Sequence, residues 1–396
     1  MTTLLVFLFA CADVRVQLEG TSFAGVPIAA PTGTADWHVD GAGGADFTTV
    51  QAAIDAAAPG DWILVAPGTY TERIDFAGKP VWISSRDGSA TTTLDARRGG
   101  PNVTVIGGET SLTGLAGFTL ENGSEYAVLV DFSSIHLEDV HITGTSGNFA
   151  IYGHAADLEM QDVTIDNSDA NYAAIYMDRG SLQMNGSTVE CGSGYAVYSG
   201  HGYLQIDQSV VECSGRNGVA LGVEHTVGTI LRSTVTGAMN IVSEDDHTAD
   251  TIAFLNSVLV GNYTAQWGTV LIRNSVIDGG RVAYTDHVEY PANPVIENTV
   301  FLNSTCAIAT DALTNTVRNN SFWNTAPSCG TATYVGVDGN LADDPMLLDE
   351  GAGDYHLAAG SPLADAGVNE AGYEDIDGSR NDIGPFGGIF TMDGGW

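Results

Sequence analysis

An apolar residue set behind small polar ones returns at nearly even steps through more than half of this 396-residue chain. The segments are GFTL, DVHI, DVTI, GSTV, QSVV, STV, LNSV, RNSV, ENTV and NNSF. Their apolar markers are Leu120, Ile142, Ile165, Val189, Val211, Val235, Val258, Val276, Val300 and Phe322, in steps of 18 to 24 residues. Each step holds short alternating β segments separated by Gly, Asn, Ser or Asp. One such unit cannot bury an apolar face by itself, whereas stacked units can. The Leu-x-x-Leu-x-Leu pattern of leucine-rich repeats is absent. The expected fold is therefore all-β: a single-stranded, right-handed parallel β-helix with coils rising about 4.8 Å each.

Other columns fit the same stack. Asn256, Asn274, Asn298 and Asn320 sit two places before their markers, and Ser187, Ser209 and Ser233 occupy that place in earlier coils. Stacked amides can bond along such a column, which is a structural reading. Open coil ends expose unpaired strand edges and need caps. Val50, Ala53, Ile54 and Ala57 recur at helical spacing, so a capping helix is expected near residues 48–58, with Asp46 or Thr48 as N-cap. Cys191 and Cys213 are 22 residues apart and Cys306 and Cys329 are 23 apart. Stacking brings each pair to about 5 Å between Cα atoms, within disulfide range. Two disulfides imply an oxidising, exported compartment; four buried thiols are the alternative.

The charge balance limits partners. Against 49 Asp+Glu stand 13 Lys+Arg, a formal net charge of -36. Nucleic-acid binding needs clustered cations and is excluded. Docking on anionic lipid is equally disfavoured, leaving the membrane reachable only through a lipid anchor. The N-terminal MTTLLVFLFACADV holds an apolar run too short to span a bilayer. It resembles a bacterial lipoprotein signal with LFAC as lipobox and Cys11 as the lipidated residue, although it lacks the usual basic n-region. The expected organisation is a signal segment over 1–11, a flexible tether over 12–36, the β-helix with its cap over 37–345, and an irregular closing segment over 346–396. The extracellular space or the cell surface follows as the expected location. The sequence leaves the oligomeric state open.

One polar pattern stands out. Counted from the markers, His154, His201 and His247 each fall at +12, with His225 and His287 close by. Five of the nine histidines thus share one sector of the coil with Asp131, Asp178, Glu224, Asp245, Asp246 and Asp286, and Tyr152, Tyr176 and Arg179 lie near them. Asp178, His201, Glu224, Asp245 and His247 are the candidate catalytic residues. Carboxylates one or two coils apart would lie at about 5–10 Å, spanning glycosidase separations. The same groups suit a divalent ion, or a solvated turn line with no ligand. No cofactor is expected, and Ca²⁺ is compatible with the acidic surface. The half-match DIDGSRND, residues 375–382, lacks the third alternate ligand and the distal Glu of a Ca²⁺ loop, so a tight turn is expected there.

Gly68-Thr69-Tyr70-Thr71-Glu72, with DGAGGADFTTVQAAIDAAAPGD before it, resembles the opening of the pectin methylesterases, a β-helix family of the pectin-lyase-like class. The resemblance covers about residues 37–83. It implies the fold, whereas that family's chemistry requires two carboxylates and a Gln. The nearest match to the family's central motif is GTVLI, with Leu271 where the family has its nucleophilic Asp, and no Gly-Arg-Pro-Trp exists. Polygalacturonases are matched only by Gly200-His201-Gly202 and a misplaced Asp245-Asp246. A lyase base would have to be Arg or His, since the single lysine, Lys79, lies near the N-terminal cap. The closing segment resembles that of many bacterial surface β-helix proteins. Three functions remain open: binding of polysaccharide or another surface partner along the helix face, hydrolysis or elimination of polysaccharide in the His/Asp sector, and a structural spacer. Aromatic rows beside the acidic sector would favour glycan binding.

Overall fold

The computed structural model describes residues 31–167, 171–215, 218–242, 251–266, 269–285, 294–309 and 316–388. They form the right-handed parallel β-helix expected from the repeat, with about eleven coils. Three parallel sheets run along the axis. In one coil the chain passes through the first sheet at Ser134–Glu138, the second at Val140–Thr143 and the third at Ile151–His154. The next coil repeats this at Asp157–Gln161, Thr164–Asn167 and Ala173–Asp178. Corners need tight turns, and non-glycine residues take positive φ there: Asp139, Asp162, Gln208, Arg232, Asn256, Asn274 and Asn298 between the first and second sheets. Asn and Asp tolerate this region because their short polar side chains bond locally.

The marker column is the core. Leu120, Ile142, Ile165, Val189, Val211 and Val235 stack in register and are fully buried. Beyond Val235 the expected alignment is one residue off. Val235 pairs with Leu259, which continues to Ile277, Phe301 and Phe322. Val258, Val276 and Val300 instead point outward, where earlier coils carry Thr164, Thr188 and Thr234. They are apolar because residues 346–388 lie over them: Val258, Val276, Val300 and Leu302 pack with Tyr355, Leu363 and Ile383 in a cluster separate from the core. Where both sides of a strand are covered, alternation disappears and the apolar residue no longer marks the inside.

That shift also divides the asparagine column. The inner column runs Ser187, Ser209, Ser233, Ser257, Ser275, Thr299 and Asn320, all buried. The hydroxyls of Ser209, Ser233, Ser257 and Ser275 each accept the backbone N–H of the residue one coil back, at 3.1–3.3 Å. Asn256, Asn274 and Asn298 belong one place earlier, in the left-handed turn, and hold the closing segment. Asn256 Nδ2 donates to Pro385 O and Gly387 O, Asn274 Nδ2 to Asp382 O, and Asn298 Oδ1 accepts Val368 N. DIDGSRND forms the expected turn, with Gly378 N donating to Asp375 O at 2.9 Å.

At the other end the helix spans Val50–Ala56, and its N-cap is Thr49 rather than Asp46 or Thr48. Glu72 supplies the remaining cap: its carboxylate accepts Val50 N at 2.8 Å and Gln51 N at 3.0 Å. Tyr70 OH donates to Ala66 O and accepts Gly41 N. The Gly-x-Tyr-x-Glu signature is thus a device for seating the capping helix, and none of these contacts is chemistry on a substrate.

Both disulfides form, Cys191–Cys213 and Cys306–Cys329, with Cα separations of 4.6 and 5.1 Å. Each closes a loop of about one coil, so replacing either pair by alanines should lower stability by about 3 kcal/mol. Equilibrium denaturation of each double variant checks this, and non-reducing peptide mapping should recover both cross-links. Free thiols at all four positions in exported protein would contradict the pairing.

Candidate polysaccharide-binding face

The third sheet carries the polar sector on its outer side. Because side chains alternate, Ile151, Gly153, Ile175 and Met177 point inward while Tyr152, His154, Tyr176 and Asp178 point outward. Stacking turns these into rows along the axis. One row is Asp131, His154, Asp178, Gly200 and Glu224. Beside it runs Tyr152, Tyr176 and Tyr198. On the other side is the corner to the first sheet, where Phe132, Ala155, Arg179, His201 and His225 all have positive φ. Similar φ values recur at the other corners, so this conformation belongs to the coil and is no sign of catalytic strain.

The equal +12 offsets of His154 and His201 do not give equal places. Coil lengths differ, and His154 lies within the row while His201 sits on the corner one residue beyond it. The structure still joins the central candidates. His154 Nδ1 is 2.8 Å from Asp131 Oδ1 and its Nε2 is 3.9 Å from Asp178 Oδ2. His201 Nδ1 is 3.3 Å from Asp178 Oδ1, so one carboxylate lies between two imidazoles. The His201 ring stacks on His225 at 4.9 Å. Glu224 accepts a short hydrogen bond from the Tyr198 hydroxyl. Burial, followed by that carboxylate, pushes the Tyr198 hydroxyl far above the ordinary phenol range, so it stays a donor. Asp245 and His247, and Cys11 at the N-terminus, lie outside the described residues.

Of the tyrosine rows, the sequence pattern singles out only Tyr152 and Tyr176. Tyr176 and Tyr198 stack at 4.9 Å with planes 4° apart, and Tyr152 and Tyr176 at 5.4 Å with planes 8° apart. An outer row, Phe149, Tyr172 and Tyr195, packs against them edge-on or tilted. The central rings cover each other's faces and so present edges and hydroxyls. Tyr172, 44% exposed, and Phe132, 67% exposed, offer the open aromatic surface. The signal that could have found the inner row is the spacing of Tyr152, Tyr176 and Tyr198 by one coil each. The arrangement offers carboxylate acceptors, imidazoles, phenol donors and apolar rings over successive coils. Among the described residues no three His, Cys, Asp or Glu side chains are grouped to hold a metal ion. Leu271, aligned above with the esterase nucleophile, packs with Ala253 and Leu255 and has no carboxylate to offer.

No family profile and no curated protein sequence matches this chain. Among solved structures, the complex of XylC with xylose superposes with a TM-score of 0.59 at 9% identity, covering 90% of this chain and 98% of that one. A PL6 family alginate lyase, AlyGC, superposes with a TM-score of 0.51 at 10% identity, over 78% of this chain and 55% of the lyase. Pectin methylesterase from carrot gives a TM-score of 0.35 at 13% identity, over 76% and 91% of the two chains. At such identities the likeness is one of fold.

Proposed function

We propose that the third face binds a polysaccharide laid along the helix axis, and that the polymer is neutral rather than a polyuronate. The observation that carries this reading is the aromatic row lying beside the acidic and imidazole row over consecutive coils. Sugar rings pack on apolar and aromatic surface while their hydroxyls meet carboxylates and phenols. Asp131, Asp178 and Glu224 leave Arg179 as the nearby full-time cation, so a polyanion would meet net repulsion, as it would from the chain as a whole. The β-helix solved with xylose supports the reading by analogy of fold only.

A glycan array followed by affinity measurement tests it. Asp178→Asn, His201→Ala and Tyr172→Ala should each weaken binding of the glycan found by about tenfold or more, equal to about 1.4 kcal/mol, with little change in melting temperature. Unchanged affinity in all three would place binding elsewhere, and polygalacturonate binding better than neutral xylan would overturn the charge argument. A second reading, hydrolysis or elimination at the same face, is favoured by Asp178 lying between two imidazoles. It requires release of new reducing or unsaturated ends that Asp178→Asn abolishes.

The chain is further proposed to be exported and held at the bacterial envelope through Cys11. The two disulfides support an oxidising compartment. Mass spectrometry of the mature N-terminus tests the anchor; an intact Met1 in membrane-free protein would overturn it.

A further inference from the structure

The first sheet carries a cluster that the binding face does not use. His136, in Ser134–Glu138, is only 2% exposed. In register with it are Gly114 and, one coil further back, Trp82. A Cβ on residue 114 would come within 2.1 Å of the Trp82 ring. The missing side chain is what lets the indole lean across an intervening coil onto the imidazole, with ring centroids 5.4 Å apart. The imidazole is thus held rigidly, with Nδ1 3.4 Å from Glu159 Oε2 and Nε2 4.0 Å from Glu138 Oε2. Nδ1 is buried and makes no hydrogen bond among the described residues, its approach to Glu159 being an ion-pair distance only. A buried polar group without a hydrogen bond costs about 1–3 kcal/mol, and its retention in a folded protein calls for an explanation, of which a water or a bound molecule at the site is one.

A groove of about 250 Å³ opens at this place, lined by His136 with Ser134, Asp157, Glu159, Ser181 and Gln183 among others. Asp157 is held by the Ser181 hydroxyl at 2.7 Å. The lining is rich in acceptors and contains no Lys or Arg. Its volume lies just below the roughly 300–1,000 Å³ of sites for drug-sized ligands, which limits an occupant to about one sugar ring. The strand Phe149–Gln161 carries Tyr152 and His154 on the third sheet and Asp157 and Glu159 on the first, with the corner Ala155 between them.

We propose that this groove is a second carbohydrate subsite, taking one neutral or amino-bearing sugar unit. Its hydroxyls donate to Asp157 and Glu159, and one of them meets the imidazole of His136. The site stands on geometry separate from the aromatic face, so either can fail alone.

The test is a titration of the full-length protein, with ¹⁵N-labelled histidine, against D-xylose, D-glucosamine and D-glucuronate, read at the His136 ring. Xylose and glucosamine should shift His136 with affinities of about 1–10 mM, and glucuronate should not. Glu159→Gln and Asp157→Asn should each weaken the response at least tenfold, while the His154 and His201 signals keep their response to the array glycan. Asp157 is exposed, so its variant keeps the test available if Glu159→Gln folds poorly. A His136 ring unmoved by xylose and glucosamine at about 100 mM, far above that affinity range, would overturn the subsite. Equal shifts with glucuronate, or unaltered shifts in both variants, would do so as well.

Discussion

Replacing Glu297 by Ala should cost about 3–5 kcal/mol and release the closing segment. Glu297 is 2% exposed and accepts from Arg273 Nη2 at 2.8 Å, Arg318 Nε at 2.6 Å and Tyr373 OH at 3.0 Å. The three charged residues come from successive coils in register, whereas Tyr373 belongs to the closing segment. Arg273 also lies 4.4 Å over the Tyr373 ring, and Arg318 reaches Glu370 at 2.7 Å. Without the carboxylate, two partly buried guanidinium groups lose their common partner, so the loss includes the cost of leaving charge unpaired. Equilibrium denaturation should show the change, and limited proteolysis should cut first within residues 346–388. A variant within about 1 kcal/mol of the parent protein, inside the usual range for surface substitutions and their scatter, would mean the network contributes little.

Phe301→Ala should cost about 3–5 kcal/mol, more than Val300→Ala at about 1.6 kcal/mol for two methyl groups. Phe301 is fully buried inside the solenoid and stacks on Phe322 at 5.1 Å. Val300 is equally buried, but beneath the closing segment. The two can therefore be told apart by deleting residues 346–396. In the shortened chain the Val300→Ala cost should fall close to zero, while that of Phe301→Ala should persist. If Val300 kept its full cost there, the inner and outer columns would be reversed.

These two residues also show what the sequence could and could not reveal. Where one side of a strand faces water, as at Thr164-Ile165 and Thr188-Val189, alternation identifies the inside and the register reads correctly. At Val300-Phe301 both sides are covered, two apolar residues compete for the inward place, and the choice depends on a segment some fifty residues away in sequence. Disulfide partners were legible because a coil-length separation in a stack has one geometric meaning. The Asp178–His201 contact was legible for the same reason, although unequal coils moved His201 onto the corner. His136 was not, because its surroundings depend on a single Gly114 and a Trp two coils back, and nothing repeats. The role of Glu72 was hidden for another reason: a carboxylate reaching the backbone of a helix twenty residues earlier leaves no periodic trace.

The closing segment touches Asn319 through Ala366 O and Gly367 O, then Asn298, Asn274 and Asn256 in turn through residues 368–387. It is in effect a ruler laid against the side of the stack, with one graduation per coil. Repeat solenoids commonly tolerate gain or loss of whole units, since each touches only its neighbours. Here that freedom belongs to the coils before Asn256. Removing one unit between Asn256 and Asn319 would leave every later graduation opposite the wrong turn, so changes in length during divergence should be confined to the first two thirds of the molecule.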